Sequence, residues 1–245
     1  MKPDYLMKDL LKKPLPEMPA DIKAHLDDGN VTLVDFADKD RLLTDPSMQY
    51  EFGYKKFPNG NYYCAMYCPM PGVTMDMIHW WFWWHAKESI RYRVWFPGEH
   101  FAISYRPGDA SFFRQPKRPP FQANTHYPIE KIGKIALPLK ISFVEPAAFG
   151  FDPQKMKDNG FPWAVNGHVG AVYGLVEHTE MAHLLKETDD GLFMMNRFWI
   201  GENLKNPIFR AAMLNDDTAR GMVEHCCIEY RNLAEILPVL YEAYA

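Results

Sequence analysis

The sequence predicts an α+β protein: a curved antiparallel sheet wrapped around one long C-terminal helix, a helix-grip arrangement. Three observations carry this. From about residue 49 the chain breaks into short aromatic and β-branched runs separated by Gly and Pro, the pattern of strands joined by turns. From about Asp217 to Tyr244, Met222, Cys226, Leu233, Ile236, Leu237 and Leu240 instead recur at three- and four-residue spacing, which makes one apolar face of a helix. Finally, 245 residues with 47% hydrophobic composition can bury a large core as one domain, or one domain plus an arm.

The elements follow in order. Residues 1–48 are polar and proline-punctuated, with helices expected near "DYLMKDLLKK" and "PADIKAHLDD". They are read as an N-terminal helical arm that packs on the main domain, residues 49–245, or on another subunit. "FPNGNYYCAMYC" reads as a hairpin, because Asn59-Gly60 is a turn dipeptide followed by a tyrosine-rich run. "TMDMIHWWFWWHAKES" reads as a helix that Thr74 or Asp76 can cap. Strands are expected at "SIRYRVWFP", "FRQPKR", "THYPIEKIG", "KIALPLKISFV", "GHVGAVYGLVEHTE" and "GLFMMNRFWIG". A short helix at "NPIFRAAML" precedes the last one, which Pro238 is expected to bend.

Bulk properties exclude some partners. A net charge of −4 and a pI near 6.1 give no basis for binding nucleic acid or an anionic membrane. The longest apolar run, "MIHWWFWWH", is too short to cross a bilayer. The first residues lack the apolar core of a signal peptide, so a cytoplasmic protein is expected. Cys64, Cys68, Cys226 and Cys227 have no zinc-site spacing and are read as reduced thiols. Aromatic residues make up 15% of the chain, with fourteen methionines besides; such side chains line pockets for flat apolar ligands, and they also fill ordinary cores.

Candidate chemistry starts on the last helix. His225 and Glu229 are one turn apart, and Glu229 falls on the apolar stripe, where a carboxylate needs a partner. "THYPIEKIG" holds a second His-x-x-x-Glu pair, His126 and Glu130, on one face of an expected strand. His100 follows a Pro-Gly turn, and His168 begins a strand between glycines. His79 and His85 flank the tryptophans and read chiefly as packing residues, and His25 as a solvated one. Two imidazoles with one or two carboxylates suit zinc and also ferrous iron. An ion pair of Glu229 with Arg231 or Arg93 is the structural alternative.

Several of these segments together resemble the diacetylphloroglucinol hydrolases, a family that includes phloretin hydrolase. They are "HWWFWWH", "IRYRVWFPGEH", "THYPIEKIG", "ISFVEPAAFGFD", "NGHVGAV" and "MVEHCCIEYRNLAEILPVLY", spanning roughly residues 74 to 241 in the expected order. The resemblance implies a Bet v1-like helix-grip domain that binds zinc in its cavity and hydrolyses the aryl–acyl carbon–carbon bond of acylphloroglucinols. It implies His100, Glu130, His225 and Glu229 as the zinc ligands. Tyr92 and His168 become catalytic and substrate-binding, Glu130 a possible base, and Tyr173 or His183 a further substrate contact. It further implies a homodimer acting on a small aromatic ketone. An asparagine expected just beyond the first histidine is absent, since Phe101, Ala102, Ile103 and Ser104 follow His100. Two other readings compete: a non-haem iron oxygenase acting on phenols, and a non-catalytic helix-grip carrier of aromatic ligands.

Overall fold

In the computed structural model, which describes residues 3–26 and 29–245, eight strands form one antiparallel sheet. They are β1 (Gly53–Lys56), β2 (Tyr62–Pro71), β3 (His100–Tyr105), β4 (Asn124–Ile132), β5 (Ile135–Val144), β6 (Trp163–Ala171), β7 (Val176–Thr188) and β8 (Gly191–Ile200). Their spatial order is β1-β2-β8-β7-β6-β5-β4-β3, so β3 through β8 run as a meander and β2 closes onto β8. The helix Asp216–Tyr244 packs against the sheet, most extensively on β2. This is the helix-grip α+β architecture expected from the strand runs and the C-terminal stripe.

Local chemistry accounts for most boundaries. Asn59-Gly60 turns the β1–β2 hairpin, with Gly60 at φ +87° and Phe57 N–H bonded to the Asn61 carbonyl (2.8 Å), as a left-handed turn residue requires. Thr74 caps the tryptophan helix Met75–Trp84 by accepting from Met77 N–H. Asn215 caps the last helix by accepting from Thr218 N–H. That helix carries Pro238 in its interior.

Three expected strands are different. "SIRYRVWFP" forms the helix Ser89–Arg93 followed by a turn; its alternation also places Tyr92, Trp95 and Phe96 at i, i+3 and i+4, and all three are buried on that arrangement. "FRQPKR" forms no strand; its proline removes a ladder donor. "GHVGAVYGLVEHTE" is two strands, β6 and β7, reversed through Val172, Tyr173 and Gly174, all at positive φ. No turn dipeptide marks that reversal.

The sheet separates two cores. The inner one lies between sheet, tryptophan helix and C-terminal helix. The outer one is covered by residues 31–48 and by the short helices Pro146–Phe149 and Pro153–Asp158. The N-terminal segment thus packs on its own domain. Met7, Ile22 and Leu26 join the inner core, while Val34, Leu42 and Met48 join the outer. Trp199 Nε1 donates to the Val34 carbonyl at 2.7 Å. All four cysteines are free and buried.

Candidate metal centre

Two pairs of residues reach the same point from different elements. On the last helix, Met222, Cys226, Tyr230 and Leu233 hold one face against the core, and His225 and Glu229 sit beside that stripe facing the sheet. On the sheet, His100 opens β3 and stands directly across from Glu130 of β4, next to a bulge at Phe101. Helix and strand meet closely because Gly221 packs on Gly133 in the β4–β5 turn. A Cβ on Gly221 would lie 2.9 Å from the Gly133 Cα.

The four side chains converge. His100 Nε2 lies 3.3 Å from His225 Nε2, 3.4 Å from Glu229 Oε2 and 3.5 Å from Glu130 Oε2; His225 Nε2 lies 3.7 Å from Glu229 Oε2. Ligating atoms of His100, His225 and Glu229 all fall within 4.8 Å of one another. The opposite nitrogens of both rings are anchored to backbone. His100 Nδ1–H donates to the Tyr92 carbonyl at 3.3 Å, and the His225 ring hydrogen-bonds the backbone of Lys131. This fixes the tautomer that leaves each Nε2 lone pair free, the second-shell pattern of a metal-ligating histidine. The Ser89–Arg93 helix adds Tyr92, whose ring stacks on His100 at 4.0 Å and 5° and whose hydroxyl donates to Glu130 Oε2.

Burial sets the protonation states. It pushes the Glu130 carboxyl up to about 7, against the Tyr92 hydrogen bond. Glu229 is raised by burial and then by the neighbouring Glu130. Both histidines are lowered by burial, His225 to about 3. Two imidazoles and two carboxyls thus face one another, and the alternative of an arginine partner for Glu229 is not realised among the described residues. Arg93 is exposed, Arg231 bonds Cys227 Sγ at 3.4 Å, and Glu229 has no ion pair with an arginine among the described residues. The donor set, two imidazoles and two carboxylates, fits a divalent cation.

The site opens on a cavity of about 670 Å³ between sheet and helix, lined mainly by aromatic and aliphatic side chains, a size suited to a small organic ligand. Tyr92, Glu130, His183, His225 and Glu229 line it. His183, held at Nδ1 by the Asn196 side chain at 2.6 Å, faces the Tyr230 ring, and burial lowers its pKa to about 4.

Two expected site residues lie elsewhere. His168 points to the outer face of the sheet. Its neighbour Val169 lines the cavity, and successive strand residues point to opposite sides. There His168 Nδ1 bonds Glu180 Oε2 at 2.6 Å and its ring lies 5.6 Å from Phe149. Tyr173 is 57% exposed in the β6–β7 turn, away from the cavity lining. Spacing and motifs give no sign of His178, Asn196 and Tyr230. His178 and Tyr230 line the cavity, and only their strand or helix faces could have signalled them.

Fold and site together define a helix-grip protein with a buried His/Glu cluster, suited to a metal ion, on the wall of an aromatic cavity. A family model described as "DAPG hydrolase PhiG domain" matches residues 33–242, and the chain belongs to that family. It is 30% identical over 230 residues to the 2,4-diacetylphloroglucinol hydrolase of Pseudomonas protegens, covering 84% of this chain and 73% of that one. It is 29% identical over 241 residues to the phloretin hydrolase of Eubacterium ramulus, covering 93% and 86%.

Proposed function

We propose that the chain is a zinc-dependent hydrolase that cleaves the aryl–acyl carbon–carbon bond of an acylphloroglucinol. The observation that carries this reading is the convergence of His100, Glu130, His225 and Glu229 beside an aromatic cavity in a chain of this family. Water adds to the acyl carbon, the bond to the ring breaks, and the products are the phloroglucinol ring bearing a new C–H and the free carboxylic acid.

Zinc held by these side chains would polarise the ketone oxygen and lower the pKa of bound water. The remaining steps fall to the protein. Glu130, whose Oε2 accepts from the Tyr92 hydroxyl, takes a proton from the attacking water. Tyr92, kept protonated by burial and the Glu130 charge, delivers its proton to the ring carbon as the bond breaks and regains one from Glu130. A ring with hydroxyls ortho and para to the acyl group accepts that proton on carbon, so it leaves as a neutral keto tautomer. His183, fixed by Asn196, replaces His168 as the histidine able to hold a ring hydroxyl.

The test is product analysis. Incubation with phloretin and with mono- and diacetylphloroglucinol, without oxygen, is expected to release phloroglucinol or its monoacetyl derivative and the matching acid, and the purified protein is expected to hold about one zinc per chain. Absence of the acid product with all three ketones, or a strict need for oxygen, would overturn the reading.

A further inference from the structure

Beyond the His/Glu cluster the cavity continues inward along two strands. Glu130 on β4 stands directly across from Leu137 on β5, which marks the depth of the candidate metal centre. Leu137, Leu139, Ile141 and Phe143, alternate residues of β5, all line the cavity, and so do Glu130, Pro128 and His126 on β4. That is the two-residue period of strands with one face turned toward it. The open end lies at Gly133 and Lys134 of the β4–β5 turn. Phe143 is six residues further along β5 than Leu137, about 20 Å at the usual rise of a strand.

This track ends at two rings. Phe82 of the tryptophan helix and Phe143 meet edge to face, 5.5 Å apart at 65°. Behind them lies a second, smaller cavity of about 30 Å³, with Ile78, Trp83, Trp163 and Val165 among its walls. Among the described residues, Phe82 and Phe143 alone line both spaces. Asn124, the register partner of Phe143, lines the second cavity and not the first. Phe82 packs on His85 and Trp95 and Phe143 on His126 at 4.7 Å, so neither ring turns aside without disturbing a close-packed wall.

We propose that Phe82 and Phe143 form a partition that sets the length of the substrate's acyl arm, and that the space behind them extends the arm's channel when the side chain at position 143 is smaller. This rests on the reading of the chain as an acylphloroglucinol hydrolase. With the carbonyl at the His/Glu cluster and the ring toward His183 on β7, the β4–β5 track is left to the acyl arm. An arm that reaches the partition fills the channel, and each further methylene meets a wall that yields little. A methylene too many in such a pocket costs roughly tenfold or more.

Two series test the partition, one of them without turnover. 4-Alkylphenols from propyl to decyl are titrated into the intact protein, following its tryptophan fluorescence. 1-Acylphloroglucinols from acetyl to dodecanoyl are assayed for release of the acid. In wild type, affinity and kcat/KM are expected to rise with chain length and then fall sharply. In Phe143→Ala the fall should move to chains longer by several carbons, with a gain of roughly tenfold or more for the first chain that wild type rejects. Phe143→Leu, which leaves the core more nearly filled, should move it less. Val165→Phe added to Phe143→Ala refills the second cavity and should bring the limit back toward wild type. A wild-type series without a fall, or a limit unmoved in folded Phe143→Ala and Phe143→Leu, overturns the partition. A shifted limit for alkylphenols without cleavage of any acylphloroglucinol upholds the partition and removes the hydrolase reading. Cleavage with an unmoved limit does the reverse.

Discussion

Each face of the sheet carries a histidine and a glutamate directly opposite one another on neighbouring strands, with opposite results. On the outer face, His168 and Glu180 bond at 2.6 Å, and Asn203 donates to the other Glu180 oxygen. The hydrogen bond to Glu180 raises the His168 pKa despite partial burial. On the inner face, His100 and Glu130 stay 3.5 Å apart, and both imidazoles point a free Nε2 at two carboxylates whose pKa values are raised by burial. The outer pair is a satisfied ion pair at a half-exposed position. The inner set gathers two carboxyls and two imidazoles with no cationic side chain among the described residues, and burying such groups calls for a partner. Residue type does not distinguish the two. Burial and the added helix pair do.

The largest predicted difference follows. His225→Ala and Glu229→Ala are each expected to lose bound metal and to reduce kcat/KM on the order of 10³-fold or more. Elemental analysis alongside rate measurement checks this; undiminished stoichiometric metal in both variants would dissolve the contrast between the faces. Next comes Tyr92→Phe, which removes the proton on Glu130 without altering ring packing on His100. It should retain metal and lose about 10²-fold in kcat. A rate equal to wild type would take Tyr92 out of the proton path.

Part of this contrast is legible in the sequence. A helix fixes its own register, so His225 and Glu229 four residues apart had to share a side, and the apolar stripe told which side that was. Strand partners are not fixed in this way. Opposing His100 to Glu130 needs the β3–β4 register and the bulge at Phe101, neither of which spacing encodes. His168 shows the cost of that gap, because a shift of one residue sends a strand side chain to the other face, and the unmarked reversal at Val172–Gly174 hid the register of β6 against β7. The helix Ser89–Arg93 was obscured for a different reason. Tyr92, Trp95 and Phe96 fit helical spacing, while the whole run also fits alternation, and burial against His85 and His100 decides between the two.

A smaller effect tests how the sheet and helix halves of the inner site are held together. Gly221→Ala puts a methyl against Gly133 backbone, with 2.9 Å available, so the helix must move away from β4 and carry His225 from Glu130. A displacement of about 1 Å is expected to cost roughly tenfold or more in kcat/KM, with weaker retention of metal on dialysis against a chelator. Full activity and retention would mean that the site is positioned from one element alone.

The smallest effect on activity belongs to the outer face. His168→Ala should change kcat/KM by less than about twofold, since no substrate atom reaches a residue beneath the sheet; its signature is in stability against pH. Because the Glu180 hydrogen bond raises the folded pKa of His168, the wild-type advantage is complete below the unfolded value near 6.5. It is lost as pH rises through the folded value. The Tm difference between wild type and His168→Ala is therefore expected to be larger at pH 5.5 than at pH 9. With the ring 41% exposed, solvent screening keeps that difference small. A Tm difference independent of pH would show that His168 contributes packing on Phe149 rather than charge. A loss of activity as large as that of His225→Ala would return His168 to the reaction and break the division between the two faces.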